Sequence, residues 1–285
     1  MGLIDLVLNL AGTLLWLGWR SMGLDPLVKA TPVSLVGTLR RAEPRRLRGW
    51  QLLVGLTALL LLRAALYCQI GPEVNWTPKL NLFFVVLAFH SHLFLPSLLY
   101  SILSFGRLLI ICYFWMLVLV IINRRTGSPD PVLKALRAHL SAVARWPRLL
   151  QWGLPLLSVA ALWIALHPLL VQQGIDQPAQ THARLAGQGM LVGAALYLSL
   201  QYLLPGFLFA HLVASYVYLG DSPLWDFINA TARNLLAPLR RLPLQIAHVD
   251  LAPVVGVALI FVLLHWLPDL IVRKMALHQI SFWPQ

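Results

Sequence analysis

Two arginines, Arg63 and Arg107, stand inside long apolar runs, where an ionisable side chain is by default a candidate for an ion site, a lipid site or a helix-to-helix hydrogen bond. Each lies toward one end of its run, so its aliphatic stem would also let the guanidinium reach the membrane surface. His211 is a third polar group within an apolar run. His167 and His265 occupy equivalent places in two similar stretches and could approach each other, but two histidines without a carboxylate or thiolate make a poor metal site. They read better as polar anchors at a membrane interface, and the closely spaced His90 and His92 have the same shortage of partners. Cys68 and Cys112 fall in apolar runs, where a thiol behaves as a small hydrophobe. The chain has no glycine-rich phosphate loop, no Gly-X-Ser-X-Gly elbow and no helical His-Glu-X-X-His pair. No catalytic residue, metal or cofactor is therefore expected, and the protein reads as a non-enzyme.

The elements that would carry these residues are set by hydropathy. Hydrophobic residues make up 59% of the 285 and charged ones only 11%, against roughly 25% charged in soluble domains. The apolar excess is gathered into runs of membrane-crossing length, which predicts an all-α, polytopic membrane protein. The expected spans are Leu3–Trp19, Trp50–Ile70, Phe94–Ile122, Leu154–Leu170, Leu185–Leu219 and Leu251–Ile271, about six in all, or five if the first does not cross. That first run has no basic residue before it and no small-residue cleavage site, which argues against a cleaved signal peptide. Asp5, Asn9, Thr13 and Arg20 recur along it at helical spacing, so a helix lying in the interface is the alternative to a span. The run from Leu185 is too long to cross without tilting or bending, and Pro205-Gly206 is the expected kink.

A net charge of +12 raises the question of nucleic acid, but the basic residues lie in short loops beside apolar runs and form no basic domain. They are better explained by insertion orientation, with loops 20–49, 123–152 and 220–250 cytoplasmic. Two cytoplasmic loops must be joined by an even number of crossings. The apolar stretch Leu80–Leu95 is therefore expected to be an extended or interfacial segment at the outer surface, packed on the helices.

Two stretches share one plan. Asp130-Pro131 and Ser222-Pro223 each place an N-cap residue before a proline suited to a first helical turn. The helices that follow are expected to be amphipathic. Lys134, Arg137, Ser141, Arg145 and Arg148 form the polar stripe of the first, and Asp226, Asn229, Arg233 and Arg240 that of the second. Pro155 to His167 then aligns without gaps with Pro253 to His265. The expected organisation is an N-terminal extension, 1–93, and two parallel repeats, 94–172 and 173–285, each a span, a surface helix and a span. Gly189-X-X-X-Gly193 has the small-residue spacing of a close helix contact, within the chain or between copies.

Ser222-Pro223, Pro238-Leu239-Arg240-Arg241 and Asp250-Leu251-Ala252-Pro253 together resemble the core of the YggT family, small bacterial and chloroplast membrane proteins built of two-span repeats. The resemblance covers roughly 94 to 272 and is strongest after Ala210. It departs from the family pattern at Arg233-Asn234, where Glu-Pro is frequent, and at His211, where an arginine is frequent. It implies a multi-pass protein of the bacterial cytoplasmic membrane, acting as a scaffold or assembly factor in cell division or membrane-complex organisation. The alternative is a channel or small transporter for osmotic or ion balance. Physically, Asp250 suits the cap of the last span and Pro253 its first turn. Lys134, Arg137, Arg145, Arg233, Arg240 and Arg241 suit anionic lipid headgroups or an acidic membrane-protein partner, with homo-oligomerisation a further option.

Overall fold

The computed structural model describes residues 2–22, 49–73, 76–124, 130–141, 143–217, 222–239, 245–246, 249–250 and 254–263, together with 220, 266 and 270. The protein is a polytopic helical membrane protein: five helical stretches, 2–21, 49–73, 94–122, 148–172 and 182–215, are long and apolar enough to cross a bilayer. The chain divides into two compact units, residues 1–80 with 87–110 and residues 81–86 with 111–285, the division falling within two short strands and one long helix.

The first unit is built on α1 (Gly2–Met22), α2 (Gly49–Glu73) and the first part of α3 (Phe94–Ile122). The expected choice between a span and an interfacial helix for α1 follows from where its polar residues point. Asn9 and Thr13 are buried, whereas Leu3, Leu6, Leu10 and Leu14 are exposed, the reverse of a helix floating with its polar face in water. Gly12 lets α1 close on its neighbours, since a Cβ there would stand 3.1 Å from the Phe105 ring and 3.4 Å from Leu56. Between α2 and α3 the chain forms a small hairpin, β1 (Lys79–Asn81) and β2 (Val86–Ala88), with Leu80, Leu87 and Phe89 buried. The stretch expected to be extended is thus extended, and it does not form a spanning helix.

The second unit holds the rest of α3, then α4 (Pro131–Leu140), α5 (Arg148–Gln172), α6 (His182–Leu198), α7 (Leu200–Tyr216), α8 (Pro223–Leu236), the paired dipeptides β3 (Gln245–Ile246) and β4 (Val249–Asp250), and α9 (Val254–Leu263). Asp130 caps α4 as expected, its Oδ1 accepting the Val132 N–H at 2.8 Å, with Pro131 in the first turn. Ser222 precedes α8 without a side-chain cap bond. Leu208, Ala232 and Leu236 form a buried core on which Val257 and Ile260 of α9 pack. Of the expected last span, 251–253 and most of the stretch beyond Leu263 lie outside the described residues, Pro253 and His265 among them.

Three expectations are corrected here. The long fifth run breaks at Ser199, six residues before Pro205-Gly206. A proline ring crowds the carbonyl four residues upstream, so its strain is relieved on the N-terminal side. Ser199 completes the break by donating its hydroxyl to the Leu196 carbonyl at 2.6 Å, a local alternative to the helical ladder. The polar stripe drawn through Arg148 does not lie on one helix: α4 ends at Leu140, Ser141 takes φ 45°, and a 3-10 turn, Val143–Arg145, leads to α5. Finally, α5 begins at Arg148 and not at Leu154, which puts Pro155 in the helix interior, buried, instead of at its start.

Candidate functional site

The polar centre of the first unit is assembled from three helices. On α1, Asp5, Asn9 and Thr13 follow one another at four-residue intervals and share a face. On α2, Arg63 and Tyr67 do the same, as do Tyr100 and Ser104 on α3. Arg63 is 1% exposed and lies ten residues from the Glu73 end of the 25-residue α2, about 15 Å along the helix and so near its middle.

The Arg63 guanidinium is held from several directions. Its Nη2 donates to Asp5 Oδ1 at 2.6 Å and to Ser104 Oγ at 3.1 Å, and its Nη1 donates to Asn9 Oδ1 at 2.7 Å. Asn9 Nδ2 donates to Ser104 Oγ at 2.9 Å, closing a ring of three side chains. The Asp5 carboxylate also accepts the Tyr67 hydroxyl on Oδ1 and the Tyr100 hydroxyl on Oδ2, the latter at 3.0 Å. Both tyrosine rings lie against the cation, at 5.4 and 5.3 Å from centroid to Cζ. Arg63 Nε is buried without an acceptor among the described residues.

Aromatic rings cover the tyrosine side of this network. Trp76 packs on Tyr67 at 4.9 Å and Phe89 on Tyr100 at 5.4 Å between centroids. The cover is fixed where Gly71 meets the chain beyond the hairpin, for a Cβ at Gly71 would fall 2.5 Å from Ser91 Cβ. Arg63 is therefore a helix-bridging group and does not reach for the surface. Arg107, also in this unit, is half-buried. His90 and His92 are exposed with ring centroids 5.5 Å apart, and no cluster of three metal-ligating side chains exists among the described residues.

The second unit uses polar pairs to hold its shorter helices. Asn123, 1% exposed at the end of α3, donates to Thr231 Oγ1 at 2.8 Å and accepts from Asn234 Nδ2 at 2.9 Å, which ties α8 to α3. His211 on α7 bonds through Nδ1 to Asn229 Oδ1 at 2.8 Å. Asn229, expected on the wet stripe of α8, is thus turned to α7, while Asp226 and Arg233 remain exposed. Gly189 and Gly193 belong to an intrachain contact. Cβ atoms there would stand 2.9 Å from the Ala160 carbonyl oxygen and 2.6 Å from that of Leu156. One more turn along, the Tyr197 hydroxyl donates to the Trp152 carbonyl, so α6 descends α5 in steps of four. Trp115 Nε1 donates to Ser199 Oγ at 3.0 Å at the helix break.

His167 is not the interface anchor expected of it. It is buried, with Nε2 3.7 Å from Asp176 Oδ2, a partner just past the end of α5 that sequence spacing did not single out. Lys134, Arg137 and Arg145 are exposed as expected. Arg240 and Arg241 lie outside the described residues, and of Asp250 only the backbone is described, paired in register with Gln245. The Asp5–Arg63 pairing had a legible signal: one acidic residue in the first span and one basic residue in the second, each on a face with other polar side chains.

Fold and site together define a multi-pass helical membrane protein with an internally neutralised charge pair. Comparison of the chain with protein-family models, curated proteins and solved structures finds no match in any of the three.

Proposed function

We propose that this protein is a non-enzymatic scaffold or assembly factor of the bacterial cytoplasmic membrane, with α4, the 3-10 turn and α8 on the cytoplasmic side. The observation that carries this reading is the contrast between polar groups in the spans and those on the short helices. Within the spans, Arg63, Asp5, Asn9 and Ser104 spend their hydrogen bonds on one another. On α4, the turn and α8, which lie in one compact unit, Lys134, Arg137, Arg145 and Arg233 are exposed. Buried polar groups that are paired specify helix assembly, while exposed basic groups next to apolar helices meet headgroups or an acidic partner. The resemblance to YggT proteins supports cell division or membrane-complex organisation as the setting. In vivo photocrosslinking from positions on α4 should recover a defined membrane-protein partner, lost on Lys134→Glu/Arg137→Glu/Arg233→Glu substitution. Recovery of no partner, with normal growth and morphology of the charge-reversed strain, would refute the scaffold.

A channel or small transporter is the second reading, favoured by the charge pair lying at spanning depth with Arg63 Nε lacking an acceptor. It requires ion or solute flux in reconstituted vesicles under an imposed gradient, and a flux equal to that of protein-free vesicles removes it.

A further inference from the structure

We propose that the elbow joining α4 to α5 is a binding surface for the headgroup of an anionic glycerophospholipid. It rests on the reading above only in placing this elbow at a membrane surface. Arg145 and Arg148, both exposed, flank Trp146-Pro147. Next to them Leu149 is 89% and Leu150 53% exposed, and Trp146 and Trp152 are each 38% exposed. Cationic and apolar groups thus alternate from the end of the 3-10 turn into the first turn of a helix of spanning length. A surface with both demands fits the boundary between phosphate and acyl chain, where indole rings also settle.

The elbow is built, not frayed. Gln151, 1% exposed, donates from Nε2 to the carbonyls of Val143 and Ala144 at 3.0 and 3.1 Å, which fastens the 3-10 turn to the first turn of α5. Arg145 and Arg148 are therefore presented from a fixed backbone, so less order has to be imposed when a phosphate is bound. Charge complementarity selects the occupant. No acidic residue occurs between Pro131 and Ile175, whereas Lys134 and Arg137 add exposed positive charge one element upstream. Arginine suits this role because its planar donors match a phosphate's oxygens in pairs. The exposed leucines favour a lipid over a soluble acidic peptide, which would leave Leu149 and Leu150 in water.

The test uses the full chain purified in neutral detergent and titrated with phosphatidylglycerol or phosphatidylcholine, with bound lipid read by native mass spectrometry. The wild type is expected to bind phosphatidylglycerol in preference. Arg145→Gln/Arg148→Gln should weaken that binding about twenty-five-fold, about fivefold per charge, and leave phosphatidylcholine unchanged. Arg184→Gln, which removes a half-buried basic group from the start of α6, should change neither. Equal binding of the two lipids by the wild type, or undiminished phosphatidylglycerol binding by the double variant, would overturn the proposal. So would binding of a polyglutamate peptide through the same arginines without lipid preference, which would assign the surface to an acidic protein. The scaffold fails on missing partners and this site on a lipid ratio, so the two failures are distinguishable.

Discussion

Removing the Asp5–Arg63 pair one member at a time, and then together, separates a structural ion pair from two independent polar residues. In Asp5→Leu the guanidinium keeps Asn9 and Ser104 but loses its counter-ion at 2.6 Å. In Arg63→Leu the carboxylate keeps only the Tyr67 and Tyr100 hydroxyls. Each variant strands a buried charge, a loss of about 3–5 kcal/mol. The double variant strands no charge. It leaves two tyrosine hydroxyls without their acceptor and Asn9 Oδ1 without its arginine donor, at about 1 kcal/mol each, so its total cost of about 3 kcal/mol does not exceed that of either single change. Asn9 and Ser104 retain the bond between them at 2.9 Å. Unfolding in mixed micelles titrated with a denaturing detergent, followed by helical circular dichroism, gives the three free energies. The coupling expected is about 3–7 kcal/mol, with the double variant no less stable than either single one. Additive losses, with the double variant the least stable, would refute the reasoning.

Other contacts make narrower predictions. Gly193→Val should force α5 and α6 apart, since the Leu156 carbonyl stands 2.6 Å from the new Cβ, and lower stability by about 1–3 kcal/mol in a thermal melt. Gly206→Ala, with nothing within 4 Å, should be neutral or slightly stabilising in the same assay. Asn123→Leu should cost about 2 kcal/mol by removing the partner of both Thr231 and Asn234, and should raise hydrogen exchange in α8 before that in α5. Ser199→Ala should shift the fluorescence of Trp115 by removing its indole acceptor, at a cost of about 1 kcal/mol.

The helices were legible in the sequence because lipid imposes a long, one-dimensional signal: an apolar run of fixed length. The hairpin region was legible for a different reason: the basic loops before and after it, both expected on one side, require an even number of crossings between them and leave no third span for it. Asp5, Asn9 and Thr13 were legible as a stripe, but not as one facing inward, since periodicity marks a polar face without saying whether water or Arg63 lies against it. The break at Ser199 was hidden behind the stronger breaker, Pro205, because a serine disrupts a helix only where its hydroxyl finds partners such as the Leu196 carbonyl and the Trp115 indole. The same limit applies to His167, whose partner Asp176 is reached by the turn at Gly174, φ 65°, and not by helical spacing. Asn123, Thr231 and Asn234 come from helices more than a hundred residues apart in the chain, so no local pattern links them.

The central claim is that α1 crosses the membrane and brings Asp5 to Arg63 within it. Cysteine accessibility tests this most directly, in a chain whose native Cys68 and Cys112 have been replaced. Gly2→Cys, at the start of α1, and Ala135→Cys, exposed on α4, are separated by α1, α2 and α3. Three crossings place the two thiols on opposite faces, so a membrane-impermeant maleimide added to intact cells should label one and spare the other. Equal behaviour of the two thiols in intact cells, both spared or both labelled, would show that α1 does not cross, and would contradict the account.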